Sequence, residues 1–170
     1  MKSNCSRRDF LAAGLVFPVA AIRNPVHAPQ ASQAPKLTYR MLGKTGLKVT
    51  TLSFGCMTDS DPSVIVRAAN LGINHFDTAR GYQNGNNERL VGLALKIKRK
   101  QVILSSKSAA RTKAEALANL ETSLRELGTD YLDIWYLHMK NEPAEVTDDL
   151  LEAQRVAKKD GTRAALPLAR

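Results

Sequence analysis

Asn74-His75-Phe76-Asp77-Thr78-Ala79-Arg80-Gly81-Tyr82 is the stretch that decides the fold, because an acidic residue ends a short apolar run and a tyrosine follows in the next loop. Three other apolar runs also end in a group that can do chemistry. They are residues 51–54 before Gly55-Cys56, residues 102–106 before Lys107, and residues 134–137 before His138. Nearly continuous apolar runs of this length predict strands that are buried on both faces of a parallel sheet.

The spacing of the polar ends indicates how the strands are connected. Asp77 and Lys107 are 30 residues apart, and Lys107 and His138 are 31 residues apart, which is the length of one strand-helix-strand unit. Polar residues that recur at strand ends with this period predict the active-site face of a (β/α) barrel. The sequence therefore predicts an α/β fold of the TIM-barrel type. Only four of the eight units are predicted, so we expect a half-barrel.

A β-hairpin is predicted before the first unit. Residues 37–41 and 47–50 flank Gly43-Lys44-Thr45-Gly46, whose glycines suit a tight turn. Gly43-Lys44-Thr45 does not predict a phosphate-binding P-loop, because that motif needs a glycine five positions earlier and Thr38 is found there.

Helix-capping signals locate the four helices between and after the strands. Asp61-Pro62 predicts one helix start, and Asn86 or Asn87 predicts another. Thr112-Lys113-Ala114-Glu115 has the pattern of a capping box, and Gly128 follows the leucines of that helix as a stop signal. A last amphipathic helix is predicted from about residue 144 to residue 158.

The N-terminus predicts an export signal rather than part of the fold. Ser6-Arg7-Arg8-Asp9-Phe10-Leu11 resembles the twin-arginine motif, and a 12-residue apolar run and a small-residue cleavage site complete residues 1–28. A bilayer span takes about 20 residues, so no stable membrane span is expected. Residues 29–36 predict a linker. We expect the twin-arginine translocase to deliver the protein to the periplasm or outside the cell.

Composition limits the possible partners. The chain has a net charge of +9 with 44% hydrophobic and 24% charged residues, as in globular proteins. Lys96-Ile97-Lys98-Arg99-Lys100 could bind an anionic surface or form the solvated end of a helix. We expect the solvated end and no nucleic-acid partner, because no nucleic-acid-binding motif accompanies the cluster. His75, His138 and Cys56 are too widely separated in sequence to predict a metal site.

Three segments together resemble the aldo-keto reductase family. They are Leu42-Gly43-Lys44-Thr45-Gly46-Leu47-Lys48-Val49, Gly72-Ile73-Asn74-His75-Phe76-Asp77-Thr78-Ala79 and Leu127-Gly128-Thr129-Asp130-Tyr131-Leu132-Asp133-Ile134-Trp135-Tyr136-Leu137-His138. The resemblance covers residues 37–165, which we expect to be the N-terminal half of the family's barrel, and leaves residues 166–170 as a divergent tail. It implies an oxidoreductase that transfers hydride from NADPH to an aldehyde or ketone.

Such a reaction places negative charge on the carbonyl oxygen, so the site needs a proton donor and a group that holds this oxygen. Tyr82 is the candidate general acid, and a neighbouring ammonium favours the loss of a phenolic proton. Lys107 is the candidate ammonium, Asp77 would keep it ionised, and His138 would donate a hydrogen bond to the carbonyl. By resemblance, these four residues are the catalytic tetrad of the family.

The resemblance also implies how the cofactor binds. No G-x-G-x-x-G motif follows a strand, and the family positions that approach the nicotinamide and ribose correspond to Gly55, Cys56 and Met57, together with Asp77. Most other cofactor contacts in the family come from the fifth to eighth strands, which this sequence does not predict. Two functions therefore stay open: an exported NADPH-dependent reductase, or an inactive half-barrel that lacks the cofactor-binding half. The open sheet edges of a half-barrel favour self-association.

Overall fold

The computed structural model describes residues 36–159 and the backbone of a short strand at 165–166. The predicted export signal, nearly all of the predicted linker and residues 167–170 of the predicted tail lie outside the described residues. The described chain begins with the predicted hairpin, in which β1 (Tyr39–Met41) pairs antiparallel with β2 (Lys48–Thr50). Gly43 and Gly46 in its turn have φ values of 52° and 77°, as glycine allows.

The hairpin is followed by a five-stranded parallel sheet whose spatial order is the chain order. Its strands are β3 (Phe54–Gly55), β4 (His75–Asp77), β5 (Ile103–Ser108), β6 (Ile134–Leu137) and β7 (Ala165–Leu166). The helices between them are α1 (Pro62–Asn70), α2 (Asn86–Leu95), α3 (Lys113–Leu127) and α4 (Asp148–Lys159). Strand and helix alternate as in a (β/α) barrel, so the predicted fold class is confirmed.

The fifth strand differs from the prediction. Leu166 was expected to begin a divergent tail, but Ala165–Leu166 pairs parallel with β6, with Ala165 opposite Trp135 and Leu166 opposite Tyr136. The sequence signal is weak because only two residues pair, whereas strand prediction relies on runs of at least four. The backbone N–H and C=O groups on the side of β6 that faces away from β5 provide hydrogen-bonding partners for this short segment.

Alternation along the strands separates an outer from an inner face. Outward side chains pack against the helices in the main core, where Phe76, Leu104 and Trp135 are almost completely buried. Inward side chains of the lower sheet form a second apolar cluster with the hairpin, built on Val49, Ile103 and Ile134. The hairpin therefore closes the lower end of the sheet interior. The strand ends with polar residues are left open on the opposite side.

The helix starts follow the predicted capping residues in α1 and α3. The Asp61 side chain accepts a hydrogen bond from the Ser63 N–H at 2.8 Å, and Pro62 occupies the first turn. The Thr112 hydroxyl accepts from the Glu115 N–H, but the Glu115 carboxylate accepts from the Arg111 N–H, one residue earlier than in a standard capping box. None of the helices within the described residues is long and apolar enough to cross a bilayer.

The last helix begins later than predicted. A separate 3₁₀ turn occupies Pro143–Glu145, and the Glu145 carboxylate accepts hydrogen bonds from the N–H groups of Asn141 and Glu142. Helix α4 then starts at Asp148, with the Thr147 hydroxyl accepting from the Leu150 N–H. The apolar periodicity located the helix correctly, but a carboxylate that folds back on the preceding backbone delays its start.

The basic segment at 96–100 also differs in part from the prediction. It forms its own 3₁₀ helix, Lys96–Gln101, in which Ile97 is 95% exposed. Arg99 is not solvated with its neighbours, because its guanidinium pairs with Asp133 at 2.9 Å and stacks on the Tyr131 ring at 3.8 Å. This arginine joins the start of β5 to the segment before β6, so it acts in the fold rather than on the surface.

Candidate active site

The four predicted tetrad residues lie together at the carboxyl ends of the parallel strands. Asp77 is the last residue of β4, Lys107 is near the end of β5, and His138 directly follows β6. Tyr82 begins the 3₁₀ turn Tyr82–Gly85 in the loop after β4. The strand register brings Asp77 beside Ser105 and Lys107 beside Tyr136, so neighbouring strands present their polar ends on one side of the sheet.

Lys107 is the centre of this group. Its ammonium Nζ donates to Asp77 Oδ2 at 2.6 Å, to the Thr78 carbonyl at 2.8 Å and to the Tyr82 hydroxyl oxygen at 3.2 Å. These three acceptors match the three N–H groups of a lysine. The lysine side chain is only 14% exposed, so its charge is compensated by the aspartate rather than by bulk water.

His138 completes the group without adding a charge. Its ring meets the Tyr82 ring edge to face, with centroids 5.9 Å apart and planes at 85°. Burial, and then the Lys107 ammonium, lower the pKa of His138 below its usual 6.5. A neutral imidazole has one N–H to donate, which suits a group that orients a carbonyl oxygen.

The loop that carries Tyr82 has an uncommon backbone. Gln83 and Asn84 have φ values of 50° and 55°, in the left-handed region that non-glycine residues seldom adopt. The Gln83 amide N–H₂ donates to the carbonyls of Met57 at 3.2 Å and Asp59 at 2.7 Å. These bonds hold the strained turn and join the loop after β4 to the loop after β3.

A buried ion pair that was not predicted from the sequence supports the same loop from behind. Arg80 pairs with Glu88, whose side chain is completely buried, and Glu88 also accepts from the Ser106 hydroxyl at 2.6 Å. Arg80 donates in addition to the Gly85 carbonyl at 3.0 Å. The available signal was a glutamate in the first turn of α2 together with a hydroxyl residue inside an apolar strand.

A second buried group fixes the strand ends. The Thr78 hydroxyl donates to Asn87 Oδ1 at 2.6 Å, and Asn87 Nδ2 donates to the Cys56 carbonyl at 2.7 Å. The Cys56 N–H donates to the Asp77 carbonyl at 2.8 Å. Asn87 therefore connects the residues that follow β3 and β4, on either side of the aspartate.

The residues predicted to approach a cofactor occupy different environments. Gly55 is exposed, and a Cβ added to it would meet nothing within 4 Å. Met57 is 53% exposed. Cys56, by contrast, is buried in the main core and both of its backbone polar groups are hydrogen-bonded within the protein. Its side chain cannot contact a ligand in this conformation, so that part of the prediction is not supported by the geometry.

An open cleft of about 580 Å³ lies over these strand ends. Three tetrad members line it, and further lining comes from β3, from β6 and from the loop after β6, including Gly55, Tyr136 and Lys140. A larger depression of about 760 Å³ lies at the start of β5 and the end of α3. Volume therefore does not locate the site, whereas the convergence of charged and hydrogen-bonded groups does.

Barrel strands with reactive groups at their carboxyl ends define a class of enzymes whose chemistry is carried by the βα loops. Within this class, residues 53–162 match the model of the Aldo/keto reductase family. The chain belongs to the aldo-keto reductase family and is therefore related to oxidoreductases.

Relatives of known sequence and structure agree with this assignment. The chain is 32% identical to the uncharacterized oxidoreductase YqkF of Bacillus subtilis, over 72% of this chain and 45% of that protein. It is 32% identical to the aldo-keto reductase YhdN of the same organism, over 71% of this chain and 45% of that protein. The holo form of aldo-keto reductase AKR11C1 from Bacillus halodurans is 34% identical, over 77% of this chain and 50% of that chain, with a TM-score of 0.68. The chain thus spans about half the length of these relatives.

Proposed function

We propose that this protein reduces an aldehyde or ketone with NADPH as the hydride donor and Tyr82 as the general acid. One observation carries the proposal: the Lys107 ammonium lies 3.2 Å from the Tyr82 hydroxyl and 2.6 Å from Asp77. A positive charge at this position stabilises a phenolate. The same lysine would be poorly tolerated in a partly buried site without its carboxylate partner.

The tetrad residues have separate tasks in the proposed reaction. Tyr82 would give its hydroxyl proton to the carbonyl oxygen as negative charge develops there. Lys107 would stabilise the phenolate that results, and Asp77 would hold the lysine in place. His138, whose pKa is lowered by burial, would be neutral near pH 7 and would orient the oxygen through one N–H group.

The exposed residues at the end of β3 and just beyond it support contact with a nicotinamide cofactor. Gly55 pairs with Asp77 in the sheet and lines the cleft, where even an added Cβ would meet nothing within 4 Å. A flat ring can therefore approach this backbone, and the exposed Met57 side chain can cover it. When bound, the nicotinamide would supply the hydride. The proposal assigns this contact to Gly55 and Met57 rather than to the Cys56 side chain.

Turnover can be tested directly on the purified chain. NADPH oxidation would be followed by absorbance with a panel of aliphatic and aromatic aldehydes and ketones. Tyr82→Phe removes the proton donor and should lower kcat about 100-fold. Tyr39→Phe is the matched control, because Tyr39 lies in the hairpin and donates to the Gly72 carbonyl. Equal activity of Tyr82→Phe and the unchanged protein would contradict the assignment of the acid.

A second candidate is a chain that retains the tetrad without the activity. Its support is the small set of cofactor contacts that the described residues offer, which is limited to Gly55 and Met57 beside the cleft. Titration with NADPH, followed by nucleotide fluorescence, separates the two candidates. Micromolar binding supports the reductase. Absence of binding by a folded chain, shown by a cooperative unfolding transition, supports the inactive form.

Export and self-association belong to the same proposal. The Ser6-Arg7-Arg8-Asp9-Phe10-Leu11 motif supports recognition by the twin-arginine translocase, with a periplasmic or secreted product. Residues 1–36 fused to a reporter should direct its export, and replacement of Arg7 and Arg8 by lysine should abolish it. Among the described residues β3 and β7 are the edge strands of the sheet, and a second copy could pair with the backbone groups of such an edge. Sedimentation over a range of concentrations tests this association.

A further inference from the structure

The inner face of the sheet has a polar layer between its apolar floor and the tetrad. Ile103 belongs to the floor, Lys107 belongs to the tetrad, and Ser105 lies between them on β5. On β4, His75 is the register partner of Ile103, and its ring reaches Ser105, the next inward residue of β5. Barrel interiors are usually filled with branched apolar side chains, so a histidine and two serines below the tetrad need an explanation.

These side chains form one continuous chain of hydrogen bonds that ends on Asp77. Ser53 Oγ lies 2.8 Å from His75 Nδ1, and His75 Nε2 lies 3.2 Å from Ser105 Oγ. Ser105 Oγ lies 2.6 Å from Asp77 Oδ1. The other carboxylate oxygen, Oδ2, accepts from Lys107. The two oxygens of Asp77 are thus held by different partners.

The direction of each bond follows from the number of protons available. An ionised carboxylate only accepts, so the single hydroxyl proton of Ser105 points to Asp77 rather than to the Phe76 carbonyl at 3.3 Å. The Ser105 oxygen must then accept from His75 Nε2–H. Because a neutral imidazole has one N–H, His75 Nδ1 accepts a hydrogen bond from the Ser53 hydroxyl.

We infer that His75 is a positioning residue for the proposed carbonyl reduction: as the Nε2–H tautomer it directs the Ser105 hydroxyl onto Asp77 and so fixes the carboxylate that holds Lys107. The inference rests on the proposed function, because Lys107 matters through Tyr82. Without the His75 N–H, the Ser105 hydroxyl can rotate to the Phe76 carbonyl. Asp77 Oδ1 would then lose its partner, and the carboxylate could turn away from the lysine.

The surroundings of His75 favour the neutral ring that this arrangement needs. Burial is the largest influence and lowers the pKa of His75 below its usual 6.5. The carboxylates of Asp77 and then Asp133 oppose this shift, and the Lys107 ammonium adds a smaller contribution in the same direction as burial. The ring lines the cleft, as do the titratable side chains of Asp77, Lys107, Tyr136, His138 and Lys140.

The tautomer can be measured without any assay of activity. Nitrogen-15 NMR of the imidazole rings in the 170-residue chain distinguishes Nε2–H, Nδ1–H and imidazolium forms, and His75→Gln assigns the signals. The expected result at pH 7.5 is the Nε2–H form of His75. An Nδ1–H ring or an imidazolium at this pH would overturn the inference, whether or not the protein reduces carbonyls.

Two substitutions at one position test the positioning role. Glutamine places an N–H₂ near the position of His75 Nε2, whereas leucine has similar bulk and no donor. His75→Leu should lower kcat about tenfold with the KM for NADPH and carbonyl changed less than twofold, and His75→Gln should stay within about threefold of the original kcat. A purely structural role would affect both folded variants alike, and equal rates for Leu and Gln would refute the inference.

Crystal structures of the two variants provide a readout that does not depend on turnover. In His75→Leu the Ser105 hydroxyl should leave Asp77 and the Lys107 contacts should lengthen, whereas His75→Gln should retain both. If Asp77, Ser105 and Lys107 are unchanged in His75→Leu, the inference fails even when the reductase assay succeeds. If no carbonyl is reduced by the original protein, the proposed function fails and these structures still decide the role of His75.

Discussion

The carboxylate of Glu88 is completely buried, and it pairs with the Arg80 guanidinium of the loop that carries the candidate acid. The glutamate belongs to α2 and the arginine to the loop after β4, so the pair joins a helix to that loop. The second carboxylate oxygen of Glu88 accepts a hydrogen bond from the Ser106 hydroxyl on β5. One side chain therefore fixes three elements of the site.

Replacing Glu88 with glutamine should destabilise the fold. The amide keeps the shape but leaves Arg80 in a partly buried site without its counter-charge, and the free energy of unfolding should fall by about 3 kcal/mol. Urea unfolding measures the change. Glu152→Gln is the control, because Glu152 pairs with Arg155 on the exposed surface of α4 and should leave the midpoint unaltered. A loss for Glu88→Gln no larger than the control would contradict the role of the pair.

Replacing Lys107 with methionine should abolish most of the proposed activity. The change keeps the length of the side chain but removes the charge next to Tyr82. We expect kcat/KM to fall about 100-fold, measured by NADPH oxidation. Lys100→Met is the matched control, since Lys100 is exposed in the 3₁₀ helix before β5. Retention of activity by Lys107→Met would exclude the lysine from the reaction.

Alanine at Gly92 should destabilise the protein although alanine favours helices. An added Cβ would lie 2.5 Å from the Leu127 carbonyl oxygen and 2.7 Å from its carbon, so α2 and α3 must move apart. Overpacking of this kind costs about 2 kcal/mol, which exceeds the gain of about 1 kcal/mol in helix propensity. Thermal unfolding decides the sign. Leu93→Ala, at a site that is 65% exposed, provides the neighbouring surface control.

Stability should fall as the solution is acidified below pH 6.5. Burial lowers the pKa values of His75 and His138 in the folded protein below their ordinary value of 6.5. The unfolded chain therefore binds protons first, and the unfolding free energy decreases from pH 6.5 down to the folded pKa values. Urea midpoints between pH 7.5 and pH 5 would show this. The loss should be smaller in His75→Gln, and an equal loss in that variant would count against the histidine as its source.

Cys56 should be unreactive in the folded protein. Its side chain is buried, and burial raises the pKa of the thiol to about 12, with a further contribution from the negative charge of Asp77. Little thiolate is then present at pH 8. In a Cys5→Ser background, iodoacetamide should modify Cys56 only after urea is added. Rapid alkylation without denaturant would show that the loop after β3 opens.

The strands and the polar residues at their ends were predictable from local patterns, whereas the tetrad roles were implied by the family resemblance. Asp77, Lys107 and His138 each follow an apolar run, and the parallel sheet brings such positions to one side. The buried support was not predictable in the same way. Ser105, Asn87 and Glu88 are ordinary residues in the sequence, and their partners come from elements that are distant in the chain.

The errors have physical causes of a similar kind. Arg99 belongs to a basic run, and only the position of Asp133 before β6 shows that it is paired. The β7 strand has two residues, too few to produce a periodic signal, and it exists through its pairing with β6. Local propensity says little about a residue whose environment is made by a second strand.

The Gln83 side chain donates to the carbonyls of Met57 and Asp59. A change in the length of the loop after β3 would therefore also displace the loop after β4. Tyr82 is the residue immediately before Gln83, so the position of the acid depends on where the backbone of the first loop lies. An insertion or deletion in residues 57–60 would therefore act on proton transfer rather than only on ligand contacts. Anyone who grafts a new first loop to change the substrate must keep these two carbonyls in place or rebuild the turn that carries the acid.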